Sequence, residues 1–208
     1  MKKNRNQLKT EKYSRLSNFF IERHGYARTS NLVEKGIHQR DIKMLLSEGK
    51  LIKIKNGLFR FADKPMIANQ GFADVSTAIP WGVICLISAL SYFDLTTFNP
   101  SVISVAIHRK SWKPHLDYPP VDIYYFSGQQ FEAGIKEIEI GGIKVSIYCK
   151  EKTICDCFRY RNKLGLDIAK EGLTEYLRLK DRNLEKLLYY AAICHVKSLL
   201  ETWLHALV

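Results

Sequence analysis

Residues 10–23 place Tyr13, Leu16, Phe19 and Phe20 three and four positions apart, the spacing of one helical face, and Gly25 stands where that helix would stop. Residues 26–28 leave room only for a strand stub. Thr29 then suits the N-cap of a second helix of about two turns, which carries Leu32 and Val33 inward and ends at Gly36. Ile37 anchors a turn, and across residues 38–48 Ile42, Leu45 and Leu46 form the inner stripe of a third helix stopped by Gly49. The outer face of that helix is polar, with Gln39, Arg40, Lys43 and Ser47. After Gly49 the helical period gives way to that of a strand. Leu51, Ile52 and Ile54 stand among Lys53 and Lys55, Asn56-Gly57 is a strong hairpin signal, and residues 58–61 form the return strand. Helix, helix, turn, helix and a basic hairpin spell a winged helix-turn-helix over residues 1–64, whose third helix has the width of the DNA major groove.

Residues 65–78 read as a linker, with Ser76 or Thr77 available to cap the next helix. The run Ile79-Pro80-Trp81-Gly82 opens an apolar helix through Leu86, Ala89, Leu90 and Phe93. Strands are expected over 102–107 and 121–126, and residues 135–140 and 143–149 flank Gly141-Gly142 as a hairpin. The chain then turns helical near 152–162, 166–179, 183–192 and 195–207, the last with Leu199, Leu200, Trp203 and Leu204 on one stripe. The expected fold class is therefore α+β: an N-terminal winged helix-turn-helix followed over 79–208 by a larger α+β domain, a small sheet plus C-terminal helices.

Charge sharpens this division. The net charge is +11, and residues 1–64 hold 16 Lys+Arg against 6 Asp+Glu, while the remainder hold 16 against 15. So sharp a partition points to a polyanion-binding module, with double-stranded DNA first, joined to a near-neutral domain. Arg40 suits the forked edge of guanine, Gln39 that of adenine, and Lys43 and Ser47 phosphates or base edges. Lys53, Lys55 and Arg60 on the hairpin suit phosphates, and Thr29 and Asn56 complete the candidate set. RNA is disfavoured because the exposed faces offer no aromatic platform for unpaired bases.

Composition excludes other classes. With 46% hydrophobic and 25% charged residues the chain is neither disordered nor fibrous. Its basic N-terminus lacks the apolar centre of a secretion signal, and the longest apolar run, 79–90, falls short of the ~20 residues of a membrane helix. A cytoplasmic chain with no membrane partner is expected. Cys85, Cys149, Cys155, Cys157 and Cys194 form neither a disulfide framework nor a paired zinc pattern, so they are expected reduced and semi-buried.

Three stretches carry a family resemblance. The passage Gly36-Ile37 to Leu46-Ser47-Glu48-Gly49-Lys50-Leu51-Ile52-Lys53-Ile54-Lys55-Asn56-Gly57-Leu58-Phe59 resembles the N-terminal domain of AbiE-type abortive-infection antitoxins. Ile87-Ser88-Ala89-Leu90-Ser91-Tyr92-Phe93-Asp94-Leu95-Thr96 looks like the opening of that family's C-terminal domain. Residues 150–165, Lys150-Glu151-Lys152-Thr153-Ile154-Cys155-Asp156-Cys157-Phe158-Arg159-Tyr160-Arg161-Asn162-Lys163-Leu164-Gly165, are similar to its most recognisable segment. The resemblance spans nearly the whole chain. It implies a DNA-binding transcriptional repressor of its own toxin-antitoxin operon that also counteracts a nucleotidyltransferase-type toxin; operator repeats in its own promoter, met either by a dimer self-associated on DNA or by two cooperating monomers, are the expected target.

In the second domain two clusters are candidate contacts. Asp156, Arg159 and Lys163 fall at i, i+3 and i+7, with Lys152 one turn earlier, and read as a salt-linked surface or as a contact for toxin or ligand. The loop of residues 108–115 sets Arg109, Lys110 and Lys113 around Trp112, which makes either a solvated loop or a grip on phosphate or a partner's acidic face. Catalysis is not expected. The acidic-x-Lys tripeptides Asp41-Ile42-Lys43 and Glu48-Gly49-Lys50 sit on the wrong scaffold for a nuclease. The six histidines make no metal motif, Cys155-x-Cys157 splits across a helix, and no phosphate loop or nucleophile elbow occurs. No cofactor or metal is expected. The alternatives are a protein-interaction adaptor that uses the basic winged helix without DNA, and a nucleic-acid-processing enzyme with an unrecognised site.

Overall fold

The computed structural model describes residue 14 and residues 16–62 and 67–207. Helix α1, described over 16–21, buries Leu16, Phe19 and Phe20, and the Phe20 ring stacks on Phe61 with centroids 5.3 Å apart. Strand β1 (Tyr26–Arg28), helices α2 (Thr29–Glu34) and α3 (Gln39–Ser47), and strands β2 (Leu51–Lys55) and β3 (Leu58–Phe61) come next. The strands form an antiparallel sheet in the order β1-β3-β2. Leu32, Ile37, Ile42, Leu45, Leu51 and Phe59 complete the core beneath α1.

Both helices of the α2–α3 pair end in the same way. At α2, Gly36 (φ 75°) donates to Val33 O and Ile37 to Leu32 O; at α3, Gly49 (φ 68°) donates to Leu46 O and Lys50 to Leu45 O. These are Schellman closures, which need a left-handed residue that glycine adopts without strain. The start of α2 differs from the expectation. Arg28 is the extended N-cap residue and Thr29 is already helical, its N–H donating to Gly57 O at 3.0 Å, so the threonine pins the hairpin tip. At that tip Gly57 turns left-handed (φ 76°) and β2 takes up the mismatch in a bulge between Lys53 and Lys55.

The stretch read as a linker is a helix, α4 (Gln70–Ala78), in which Phe72, Ala73, Val75 and Ala78 are buried. Asp74 and Ser76 are buried with them, so the helix is enclosed on nearly every side and shows no single apolar stripe that a periodicity reading would find. The expected helix from Ile79 is also corrected. Gly82 lies so close to β5 that a Cβ there would come within 2.8 Å of Val105 Cγ1, and the run enters the sheet as β4 (Val83–Ile84) before α5 (Leu86–Tyr92) begins.

The remaining elements are β5 (Ile103–His108), β6 (Val121–Phe126), α6 (Gln129–Glu132), β7 (Ile135–Ile140), β8 (Ile143–Tyr148), α7 (Lys150–Arg159), α8 (Arg161–Leu164), α9 (Leu166–Arg178), α10 (Leu184–Ile193) and α11 (Lys197–Leu207). The second sheet runs β6-β5-β4-β8-β7, with β5–β6 and β4–β8 parallel and β4–β5 and β7–β8 antiparallel. Gly141 (φ 60°) and Gly142 (φ 82°) supply the paired left-handed turn that a two-residue β7–β8 hairpin requires. The architecture is thus α+β with two sheets. Among the described residues no helix is long and apolar enough to cross a membrane.

Alternation along the strands assigns each sheet face to its own core. Val105, Ile107, Val145 and Ile147 point to α4 and to Tyr26, Ile54 and Leu58 of the first sheet. Ala106, Tyr124, Phe126 and Tyr148 point to the helices from α5 onward. Across that second layer Glu171 of α9 closes the loop after α5. It accepts from Thr96 Oγ1 (2.8 Å), Thr97 N (2.7 Å) and Thr97 Oγ1 (2.8 Å). The Thr97 backbone N–H and the Thr96 hydroxyl hold its carboxyl below the usual carboxylate range. A lowered acid stabilises the fold above its unfolded pKa and stops doing so as pH falls through the folded value. Glu171→Ala should lower stability in urea unfolding at neutral pH by no more than about 1 kcal/mol, since solvent screens so exposed a carboxylate, and the deficit should shrink in acid.

Candidate nucleic-acid interface

Helix α3 is presented as the sequence predicts. Its N-terminus is closed by Asp41, whose Oδ2 accepts from the His38 N–H at 3.2 Å, and Ile42 and Leu45 anchor its inner side. Gln39, Arg40, Lys43 and Ser47 are all exposed on the outer side. Among the described residues neither Arg40 nor Lys43 has a carboxylate within 4.0 Å. Ser47 donates to its own helix at Met44 O (2.8 Å), which leaves its oxygen as an acceptor. Met44, 42% exposed on the same helix, adds an apolar surface that polarity-based reading passes over.

The hairpin is a different matter. Arg60, expected to meet phosphates, is 9% exposed, and its Nε lies 2.9 Å from Asp74 Oδ1. Tyr26 Oη donates to the same oxygen at 2.7 Å and Gln70 Nε2 to Tyr26 Oη at 2.9 Å. Burial pushes the Asp74 carboxyl up despite these partners and pushes the Tyr26 phenol far above its ordinary range. Lys53 pairs with Asp117 at 3.3 Å. Lys55 Nζ donates to Ala78 O at 2.5 Å, and burial, with Arg28 nearby, lowers its pKa. The backbone N–H groups of Asp117 and Tyr118 both donate to Ile54 O, at 2.8 and 3.2 Å. The outer edge of β2 is thereby covered, and three of the four hairpin residues assigned to DNA tie the first sheet to the rest of the chain. Asn56 alone of them is exposed. Thr29 is half-buried under the tip, and its backbone N–H holds Gly57 O.

The α7 cluster also divides. Lys152 and Asp156 are fully buried, and Lys152 Nζ meets both Asp156 oxygens at 2.6 and 2.7 Å over the rings of Tyr148 (4.3 Å) and Phe126 (5.0 Å). They do not share a surface with Arg159 and Lys163, which corrects the expectation of one salt-linked face. The reason is that 151–158 is buried on every side, because α5, α9 and α10 pack around α7. Arg159 is exposed, with Nη1 donating to Cys194 O at 3.0 Å, and Lys163 Nζ sits 4.1 Å from the Tyr124 ring centroid. All five cysteines are free and buried. Arg109, Lys110 and Lys113 are exposed beside Trp112, which is 93% exposed.

In fold the chain is similar to the crystal structure of the RV2827C protein from Mycobacterium tuberculosis, with a TM-score of 0.59 over 94% of this chain and 81% of that one, at 11% identity. No family model matches the sequence, and no curated protein matches it.

Proposed function

We propose that residues 16–61 act as a winged helix whose α3 enters the major groove of duplex DNA, and that the protein is a repressor and antitoxin of the AbiE type. One observation carries this reading: Gln39, Arg40, Lys43 and Ser47 project together from a helix anchored at both ends, with Arg40 and Lys43 free of carboxylates among the described residues. The excess of cations in the first third supports it. Because Lys53, Lys55 and Arg60 are engaged internally, α3 supplies the specificity and the hairpin contributes Asn56 at its tip. The antitoxin half rests on the resemblance over residues 36–59, 87–96 and 150–165. In it the larger domain faces a nucleotidyltransferase-type toxin and the protein represses its own operon.

A binding titration on duplexes from the protein's own promoter tests this. Log affinity should fall linearly with log salt, at about −0.9 per phosphate neutralised. Arg40→Ala should cost about 1–3 kcal/mol and relax selectivity at one base pair. Lys43→Ala should weaken all sequences alike. A salt-independent affinity, or wild-type selectivity in the Arg40→Ala, Lys43→Ala pair, would rule the reading out.

A further inference from the structure

Strands β5 and β6 run parallel with His108 opposite Phe126, so their C-terminal ends lie side by side. Beyond the end of β6 lies an open cleft of about 590 Å³, lined from the turn after β6, the end of α7 and the stretch between α10 and α11. One wall is the turn after β6, where Gly128 (φ 53°, ψ −138°) takes a conformation that only glycine adopts at low cost and delivers Ser127, Gln129 and Gln130 to the cleft. The other wall is Arg159, at the last turn of α7, and His195, between α10 and α11.

From these walls we propose that the cleft binds a small phosphate-bearing molecule. The hydroxyl of Ser127, two carboxamides, a guanidinium and an imidazole all line it, and no carboxylate does. That is a donor-rich set, matched to an anion with three terminal oxygens. Arg159 is already oriented: one of its N–H groups donates to Cys194 O at 3.0 Å and the guanidinium also hydrogen-bonds Tyr160, which leaves part of the fork for a ligand. No ion pair of Arg159 occurs within 4.0 Å among the described residues, and Asp156, one turn earlier, is buried and matched by Lys152 at 2.6 Å. Asp156 also feels Arg159, but with Lys152 on both its oxygens it offsets the Arg159 charge only in part. His195 holds φ 56°, a left-handed backbone that non-glycine residues seldom keep without a local demand. Gln130 Nε2 reaches Ile193 O at 3.4 Å and joins the two walls. Arg109 donates its backbone N–H to Phe126 O at 2.7 Å, which brings the exposed 109–113 loop to the same end of the sheet. None of this depends on the DNA-binding reading.

The test is calorimetric titration of the full chain with inorganic phosphate, pyrophosphate, ATP and malonate, and separately with duplex DNA. Pyrophosphate or ATP should bind at one site per chain and malonate at least about tenfold more weakly. Arg159→Gln should weaken binding by about tenfold or more. Should that variant lose its fold along with the Cys194 contact, two others decide the matter. His195→Asn keeps a residue tolerant of left-handed backbone, and Gln129→Glu places a like charge on the rim; both should melt as the wild type does and bind at least about tenfold more weakly. The proposal fails if no phosphate compound binds, if binding persists in both of these variants, if malonate binds as well as pyrophosphate, or if duplex DNA alone is sensitive to them. Inorganic phosphate binding as tightly as ATP would assign the site to the phosphoryl group itself; tighter ATP binding would assign it to a nucleotide.

Discussion

Lys152→Met should lower stability by about 3–5 kcal/mol, the cost of stranding a buried charge, which for a chain of this size is a fall in Tm of roughly 10 °C or more. The lysine is fully buried and holds both oxygens of Asp156 at 2.6 and 2.7 Å, with Cys194 Sγ adding a weak donor at 3.3 Å. Burial nevertheless pushes the Asp156 carboxyl up from its ordinary value, against the pull of Lys152. Desolvation has thus outweighed attraction in this pair. An acid raised in the folded state favours folding as it is protonated, so stability from this carboxyl falls as pH climbs through its shifted range. The double replacement Lys152→Met, Asp156→Leu should therefore recover most of the loss, and matched urea melts of wild type, single and double variants make the comparison. A single variant as stable as wild type would show that the pair is not buried as described.

The second large effect distinguishes two roles for Arg60. A phosphate contact could be replaced with loss of DNA affinity and no change in melting temperature. In this fold Arg60 lies against Asp74, which is fully buried, so Arg60→Met should cost about 3 kcal/mol by leaving that carboxylate without its cation and held only by the neutral donors Tyr26 and Gln70. Arg60→Met combined with Asp74→Leu should be much milder in unfolding. Preserved salt-dependent DNA binding in the double variant would assign the interface to α3 rather than to the hairpin strands.

Residues whose environment is set by near neighbours were legible in the sequence. The three N-terminal helices, the hairpin at Asn56-Gly57, strand β6 and the Gly141-Gly142 turn all arise from local period and turn chemistry. Helix α3 belongs with them, because its inner stripe of Ile42 and Leu45 fixes which residues face out. What the sequence withheld depends on distant partners. Arg60 and Lys53 look like solvated cations until Asp74 and Asp117 are brought beside them. Lys152 and Asp156 look like a surface pair until three helices close over α7. The run at 79–84 is apolar enough for a helix or a strand, and only the approach of Gly82 to Val105 decides between them. The cleft carries no motif at all, since Ser127, Arg159 and His195 come from three separate stretches.

Tyr26, Ile54 and Leu58 belong to the same buried cluster as Phe72 and Ile147, and Ile54 O is held by two amides from the far side of the chain. A fragment cut after the hairpin would carry a bare greasy flank and a stranded guanidinium, and so would tend to clump instead of folding alone. The first sheet and the larger sheet are thus one casting, so a strain applied to either is felt at the other.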